Sequence, residues 1–371
     1  MHIINDVQLD YSDVLIAPQT TTINHRGEVE IVRNFKTLRK DAGGRIEEFN
    51  ACPIMNANMT QTGTFEICKE LLDNDMIACI HKFYTAEEIC NFCKENNTDN
   101  RFFITIGLRN KDSEIQKLRD CNKYKWSILI DVPNAYIPEV ENLVKEVHKE
   151  FPNRIIAVGN VCTGDRTQEL IKAGANVVKV GVGPSQVCRT RHTTGCGRPQ
   201  LSAVIECANA AHQVGGLIIA DGGFTMPGDL CKAFVAGADI CMSGSMFAGC
   251  DEAAGQVINK CFRTSVYSMT ERENEFGDII CEHDKPQFEI KKFKEYYGMS
   301  SFRAQCENYG QKTKTGTSEG VESKLIPYTG PVIDTINNLK GGLRSCGSYI
   351  GAKNIKYFSR QGTFYRVNRI Q

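Results

Sequence analysis

Cys188 stands in the run Lys179-Val-Gly-Val-Gly-Pro-Ser-Gln-Val-Cys188-Arg-Thr-Arg-His-Thr-Thr-Gly195-Cys196-Gly-Arg-Pro-Gln200, among hydroxyls, cations and glycine backbone. A loop this polar is a poor core segment, so the thiol is expected to be partly exposed in an electropositive setting. There a cysteine serves as a nucleophile rather than as a small inert hydrophobe. Asn58, His81-Lys82, Asp131, Asp221-Gly222-Gly223 and Ser243-Gly244-Ser245 close other strand-like runs. Two of these turns put bare backbone N–H groups where a phosphate can approach. One isolated Gly-Gly would be a plain turn, but two in consecutive late units match the phosphate site of α/β barrels. Lys82 ends an otherwise apolar strand and is read as an ammonium at the mouth of the site, catalytic or cofactor-contacting. Asp131 either binds ribose hydroxyls, orients Lys82, or caps the turn before Asn134. The Cys90 and Cys93 pair offers two of the four ligands that zinc needs and lies inside a helical pattern, so no metal is assigned to it.

The elements that must position these residues follow from periodicity. From about Cys52, apolar β-branched runs alternate with amphipathic helical stretches, the pattern of βα units around a parallel sheet. Eight strands are read: Pro53 to Asn58, Ile77 to Lys82, Phe102 to Leu108, Trp126 to Val132, Arg154 to Asn160, Val177 to Gly183, Gly216 to Gly223 and Ala238 to Ser245. The reading is an α/β fold, a (β/α)8 TIM barrel forming one catalytic domain over 1–371, and the strand-end residues named above, with Cys188, fall on its C-terminal rim. Helix starts are signalled by Thr85 with Glu88, by Pro199, and by Pro227 with Asp229; Gly174 and Gly237 mark helix ends. Residues of about 261–320 are polar, charged and weakly periodic, and are expected to form a flap over the site. From about Asp334 helical periodicity resumes, and Gly362 to Val367 reads as a closing strand.

Lysine plus arginine equals aspartate plus glutamate at 44 each, so no global field favours nucleic acid or an anionic membrane. The longest apolar runs are too short to cross a bilayer. The 17 cysteines, with no signal pattern at Met1 to Asp6, point to reduced thiols in the cytoplasm.

The Gly-Pro-x-x-Val-Cys-x-Thr-Arg loop around Cys188, the phrase Arg198 to Ala208, Asp221-Gly222-Gly223, and Ser300-Ser301 after Tyr297-Gly298-Met299 together resemble the inosine monophosphate dehydrogenase/GMP reductase family over nearly the whole chain. His81-Lys82-x-Tyr84, Asp131-Val132-x-Asn134-x-Tyr136 and Gly159-Asn160-Val161-x-Thr163-Gly164 are similar to the reductase branch. No pair of regulatory repeats follows the second unit. The resemblance implies a homotetrameric barrel that converts GMP and NADPH to IMP, ammonia and NADP+. By that match Cys188 attacks the purine, with Thr190, Glu319 and Lys82 as its catalytic company. Asp221, Gly222, Gly223, Gly244, Ser245, Met299, Ser300, Ser301 and Ser318 hold the nucleotide, while Asn58, Lys82, Gly107 and Asp131 face the cofactor. A potassium ion on the carbonyls of Gly181, Gly183 and Cys188 stays open. The chain departs from the family at Thr60, Ser185-Gln186, Arg189, Ser245 and Gly316; Gln186 replaces a phosphate-binding hydroxyl, and Arg189 is expected to supply a cation to the phosphate instead. A dehydrogenase without its regulatory domain, a reductase of a deoxy or modified purine nucleotide, and a non-catalytic nucleotide-binding paralogue remain alternatives.

Overall fold

The computed structural model describes residues 3–40, 46–273, 276, 279–310 and 317–368. Eight strands form a parallel barrel: β1 (Ile46–Asn56), β2 (Met76–Cys79), β3 (Phe102–Ile106), β4 (Ser127–Asp131), β5 (Ile156–Val161), β6 (Val177–Val180), β7 (Leu217–Asp221) and β8 (Ile240–Ser243). The sheet closes on itself where β8 pairs with β1, Cys241 opposite Ile54 and Ser243 opposite Asn56. The barrel reading therefore holds; β1 starts earlier than expected, β2 starts one residue earlier, at Met76, and β5 runs one residue further, to Val161. The first part of β1 pairs antiparallel with Arg33–Lys40 before it enters the barrel.

The barrel strands are largely apolar because both faces are buried, the charged exceptions being Asp131, Lys179 and Asp221. In β4, Leu129 points into the barrel with Met55, Phe103, Ile219 and Met242, while Ile128 and Ile130 face the surrounding helices. Phe35 and Phe49, stacked at 4.8 Å, belong to the interior set. Each strand leads to a helix: α1 (Phe65–Asp73), α2 (Ala86–Asn96), α3 (Lys111–Asp120), α4 (Pro138–Glu150), α5 (Gly164–Ala173), α6 (Gln200–Gln213), α7 (Pro227–Val235) and α8 (Val332–Tyr349). The Thr85 and Glu88 capping box forms as expected, and Pro199 and Pro227 stand at the starts of α6 and α7.

Between β8 and α8 the chain leaves the barrel. Val257–Glu273 and Ile279–Tyr296 make a long antiparallel hairpin, extended to three strands by Lys324–Pro327, and Phe302–Tyr309 is helical. The flap therefore begins earlier than 261, and much of it is regular strand. A ribbon lacking one continuous buried face has no clean alternation to read: Phe262, Phe288 and Ile290 are all exposed. Phe364–Arg366 pairs antiparallel with Val14–Ile16, as the closing-strand reading anticipated.

Candidate active site

Strand β6 delivers its loop to the C-terminal rim, where Cys188 sits partly buried. Its thiol donates to the Thr190 hydroxyl oxygen at 3.2 Å, and that hydroxyl donates to Glu319 Oε2 at 2.8 Å. Glu319 arrives from the flap and is stitched to the loop by backbone. The Arg189 N–H donates to the Glu319 carbonyl at 2.6 Å, and the Val321 N–H donates to the Val187 carbonyl at 2.9 Å. Thiol, hydroxyl and carboxylate thus form a continuous line along which a proton can move.

Deeper in the cavity, Lys179 projects from β6 between two carboxylates. Its Nζ lies 2.7 Å from Asp131 Oδ1 and 2.8 Å from Asp221 Oδ2. Burial opposes the ammonium, yet the two carboxylates outweigh it and hold the lysine's pKa above its ordinary value. Burial likewise opposes the Asp131 carboxylate, but Lys179, Lys82 and a hydrogen bond from Asn58 keep its pKa below the usual range. Asn160 Nδ2 donates to Asp221 Oδ2 at 2.8 Å and to the Gly181 carbonyl at 2.7 Å. Asp221 is thereby fixed at the end of β7, with part of its carboxylate facing the cavity.

Next to it the backbone turns through Gly222 and Gly223, both at φ +83°, a region that side-chain-bearing residues rarely adopt. Gly244 answers a different demand, since a Cβ there would collide with the buried Tyr296 hydroxyl. Gly222, Gly223, Gly244 and Ser245 line the same cavity as Cys188, Asp221 and Asn58, together with Gln186, Met299 and Ser300. An anion would find backbone N–H groups here, in the cavity that the Cys188 side chain also lines.

Residues 8–268 and 283–370 match the family model of the IMP dehydrogenase / GMP reductase domain. The chain is 37% identical to the GMP reductase of Aliivibrio salmonicida, 37% to that of Shigella boydii and 38% to that of Salmonella newport, each over 99% of this chain and 97% of the relative. This chain belongs to the IMP dehydrogenase/GMP reductase family.

Not every residue that the family resemblance singled out reaches the cavity. Ser301 caps the helix Phe302–Tyr309, its hydroxyl oxygen accepting the Ala304 N–H at 3.1 Å. Ser318 donates to the Gly320 carbonyl at 3.0 Å and so ties the flap together. Arg189, expected to grip a phosphate, is placed by the structure at the edge of the Cys188 loop. Its side chain is exposed and outside the cavity lining, because the backbone pairing with Glu319 that turns Cys188 inward leaves its neighbour facing out. Gln186 does line the cavity, and its amide oxygen accepts from Lys324 Nζ at 2.6 Å. Gly316 lies outside the described residues.

Lys82 and Gly107 line a second cavity, of about 510 Å³, with Arg109, Asn110, Ser113 and Tyr309. Arg109 stacks on the Tyr309 ring at 4.6 Å, and the Lys82 ammonium stands 5.9 Å from the same ring. Sequence reasoning missed Arg109, Tyr309, Lys179 and Tyr296. A signal existed for Lys179: a lysine inside Val177-Val178-Lys179-Val180 is a charge in a buried strand, which is rare unless paired.

Proposed function

We propose that this chain carries out the NADPH-dependent reductive deamination of GMP to IMP and ammonia. The observation that carries the reading is the Cys188, Thr190, Glu319 line at the mouth of a cavity with a ribose-ready Asp221 and glycine turns beside it. Cys188 attacks the purine carbon that bears the amino group, forming a carbon–sulfur bond. The proton needed by the departing amine comes through Thr190 and Glu319, and ammonia leaves with the electron pair of the broken carbon–nitrogen bond. The nicotinamide cofactor, when bound, supplies the hydride that replaces the sulfur on that carbon. Cys188 then departs as thiolate, so one NADPH and two protons balance GMP against IMP, NADP+ and ammonium.

Asp221 would take the ribose hydroxyls; Gly222, Gly223, Gly244, Ser245 and Gln186 the phosphate; Met299 and Ser300 the base, with Ser301 and Ser318 holding that loop in place. The second cavity fits a dinucleotide, since it combines an aromatic face with the cations Lys82 and Arg109 and lies beside the Asp131 end of β4. Gly107 keeps the wall open there, because a Cβ would press on Lys82 Nζ at 3.3 Å. Asn58 and Asp131 border the first cavity between substrate and cofactor.

A potassium ion held by the carbonyls of Gly181, Gly183 and Cys188 belongs to the same proposal. The Asn160 amide takes one lone pair of the Gly181 carbonyl, and no described hydrogen bond reaches the other two carbonyls. We further propose one catalytic domain over 1–371, a cytoplasmic setting and a homotetramer; no described helix is long and apolar enough to cross a membrane.

The deciding experiment follows NADPH absorbance and ammonia release with GMP, against NAD+ reduction with IMP. Consumption of NADPH with equimolar ammonia is expected. NAD+ reduction alone would make the chain a dehydrogenase, and silence in both assays with intact GMP binding would make it a nucleotide-binding protein.

A further inference from the structure

A cavity of about 930 Å³ opens at the end of the barrel opposite Cys188, where β7 and β8 begin, and takes no part in the chemistry above. The turns after α6 and α7, residues 32–36 and residues 354–360 near the C-terminus wall it. Four cations line it, Arg33, Lys36, Lys356 and Arg360, against one carboxylate, Asp239. Over the whole chain acidic and basic residues balance at 44 each, so this excess is local.

The single carboxylate is already engaged. Asp239 Oδ1 accepts from Arg33 Nη2 at 3.3 Å, and Oδ2 accepts the Ile218 N–H at 2.9 Å and lies 2.9 Å from His212 Nε2. Arg33 is held in place by that bond and by the Phe35 ring, 4.6 Å away, while its Nε is buried without a hydrogen-bond partner among the described residues. Lys36 is shared with Glu48 at 3.2 Å. Lys356 and Arg360 pair with no carboxylate among the described residues.

We propose that this cavity binds a small polyphosphate anion, the phosphate chain of a nucleoside triphosphate or free tripolyphosphate. Lys356 and Arg360 would grip phosphate oxygens at the rim, and Arg33 and Lys36 would add their charges along the wall. Charge-assisted bonds from several cations select a multiply charged ligand over a single carboxylate or halide.

The test is an equilibrium titration of the intact protein with inorganic tripolyphosphate and, separately, with adenosine triphosphate, in saturating GMP so that the catalytic phosphate site is filled. Wild type should bind one anion per chain saturably. The Lys356→Ala/Arg360→Ala double variant should bind it at least tenfold more weakly, with GMP affinity and turnover unchanged. Lys356→Gln alone, a surface change, should weaken it severalfold and provides a second variant that folds. Equal affinity for both anions would assign the phosphate chain alone, and tighter adenosine triphosphate a nucleotide. No saturable binding by wild type, or equal affinity in wild type and variants, overturns the proposal.

Discussion

At the scale of single residues, the proposed chemistry depends on one sulfur and on the line that serves it. Cys188→Ala removes the bond-forming atom, so NADPH oxidation should fall to background while GMP still binds, as titration of the variant will show. In the proposed mechanism Thr190 and Glu319 act in series, and Thr190 donates to the carboxylate at 2.8 Å. Thr190→Val and Glu319→Gln should each lower kcat by about 10²–10⁴, the usual worth of positioned proton transfer, and the double variant should be little worse than either single one. Strictly additive losses would mean that the two residues serve different steps. Arg189 carries its charge outside the cavity. Arg189→Ala should therefore change GMP affinity by no more than about 0.5 kcal/mol, as an exposed substitution does. A loss as large for GMP as a phosphate contact would cause, with none for guanosine, would return this guanidinium to the site.

At the scale of elements, β4, β6 and β7 each contribute one charge to a shared cluster, Asp131, Lys179 and Asp221. The pH dependence follows from the directions of the shifts. Asp131, whose folded pKa lies below its unfolded value of about 3.9, stabilises the fold above that value and loses its contribution as pH falls through the lower folded one. Lys179, raised when folded, contributes fully below its unfolded pKa of about 10.4 and loses that contribution as pH climbs through the folded value. The cluster is thus worth most across the neutral range and weakens at both extremes. Lys179→Met leaves two crowded carboxylates without their cation and should cost on the order of 3–5 kcal/mol, read as a lower urea midpoint at pH 7. The deficit should shrink towards pH 3, where protonation relieves the uncompensated charge; a deficit independent of pH would assign the loss to packing instead.

At the scale of the molecule, the barrel supplies rigidity and the long hairpin supplies surface. Phe262, Phe288 and Ile290 on that ribbon are exposed, with Phe288 64% and Ile290 68% accessible. Apolar side chains concentrated on one projecting element suit contact with other copies of the chain. In keeping with the proposed homotetramer, light scattering should give about four times the 41.4 kDa chain mass. Phe288→Ser with Ile290→Ser should lower that mass while leaving the circular dichroism unchanged. A wild-type mass of one chain would remove the assembly from the proposal.

The barrel, the strand-end cysteine and the glycine turns were legible in the sequence because they rest on short-range rules. A strand buried on both faces is largely apolar, a helix start needs its cap, and a backbone that bends through positive φ selects glycine. The ribbon was not legible, since its strands lack the single buried face that leaves an alternating pattern. The tertiary structure alone decided which charges meet. Lys179 finds Asp221 across 42 positions, a distance over which the sequence records no periodicity. It also decided that Arg189 faces outward, and that Lys356 and Arg360 gather with Arg33 at the far end of the barrel. Contacts between distant segments are set by how strands register and loops dock, and that information exists only once the chain has closed on itself.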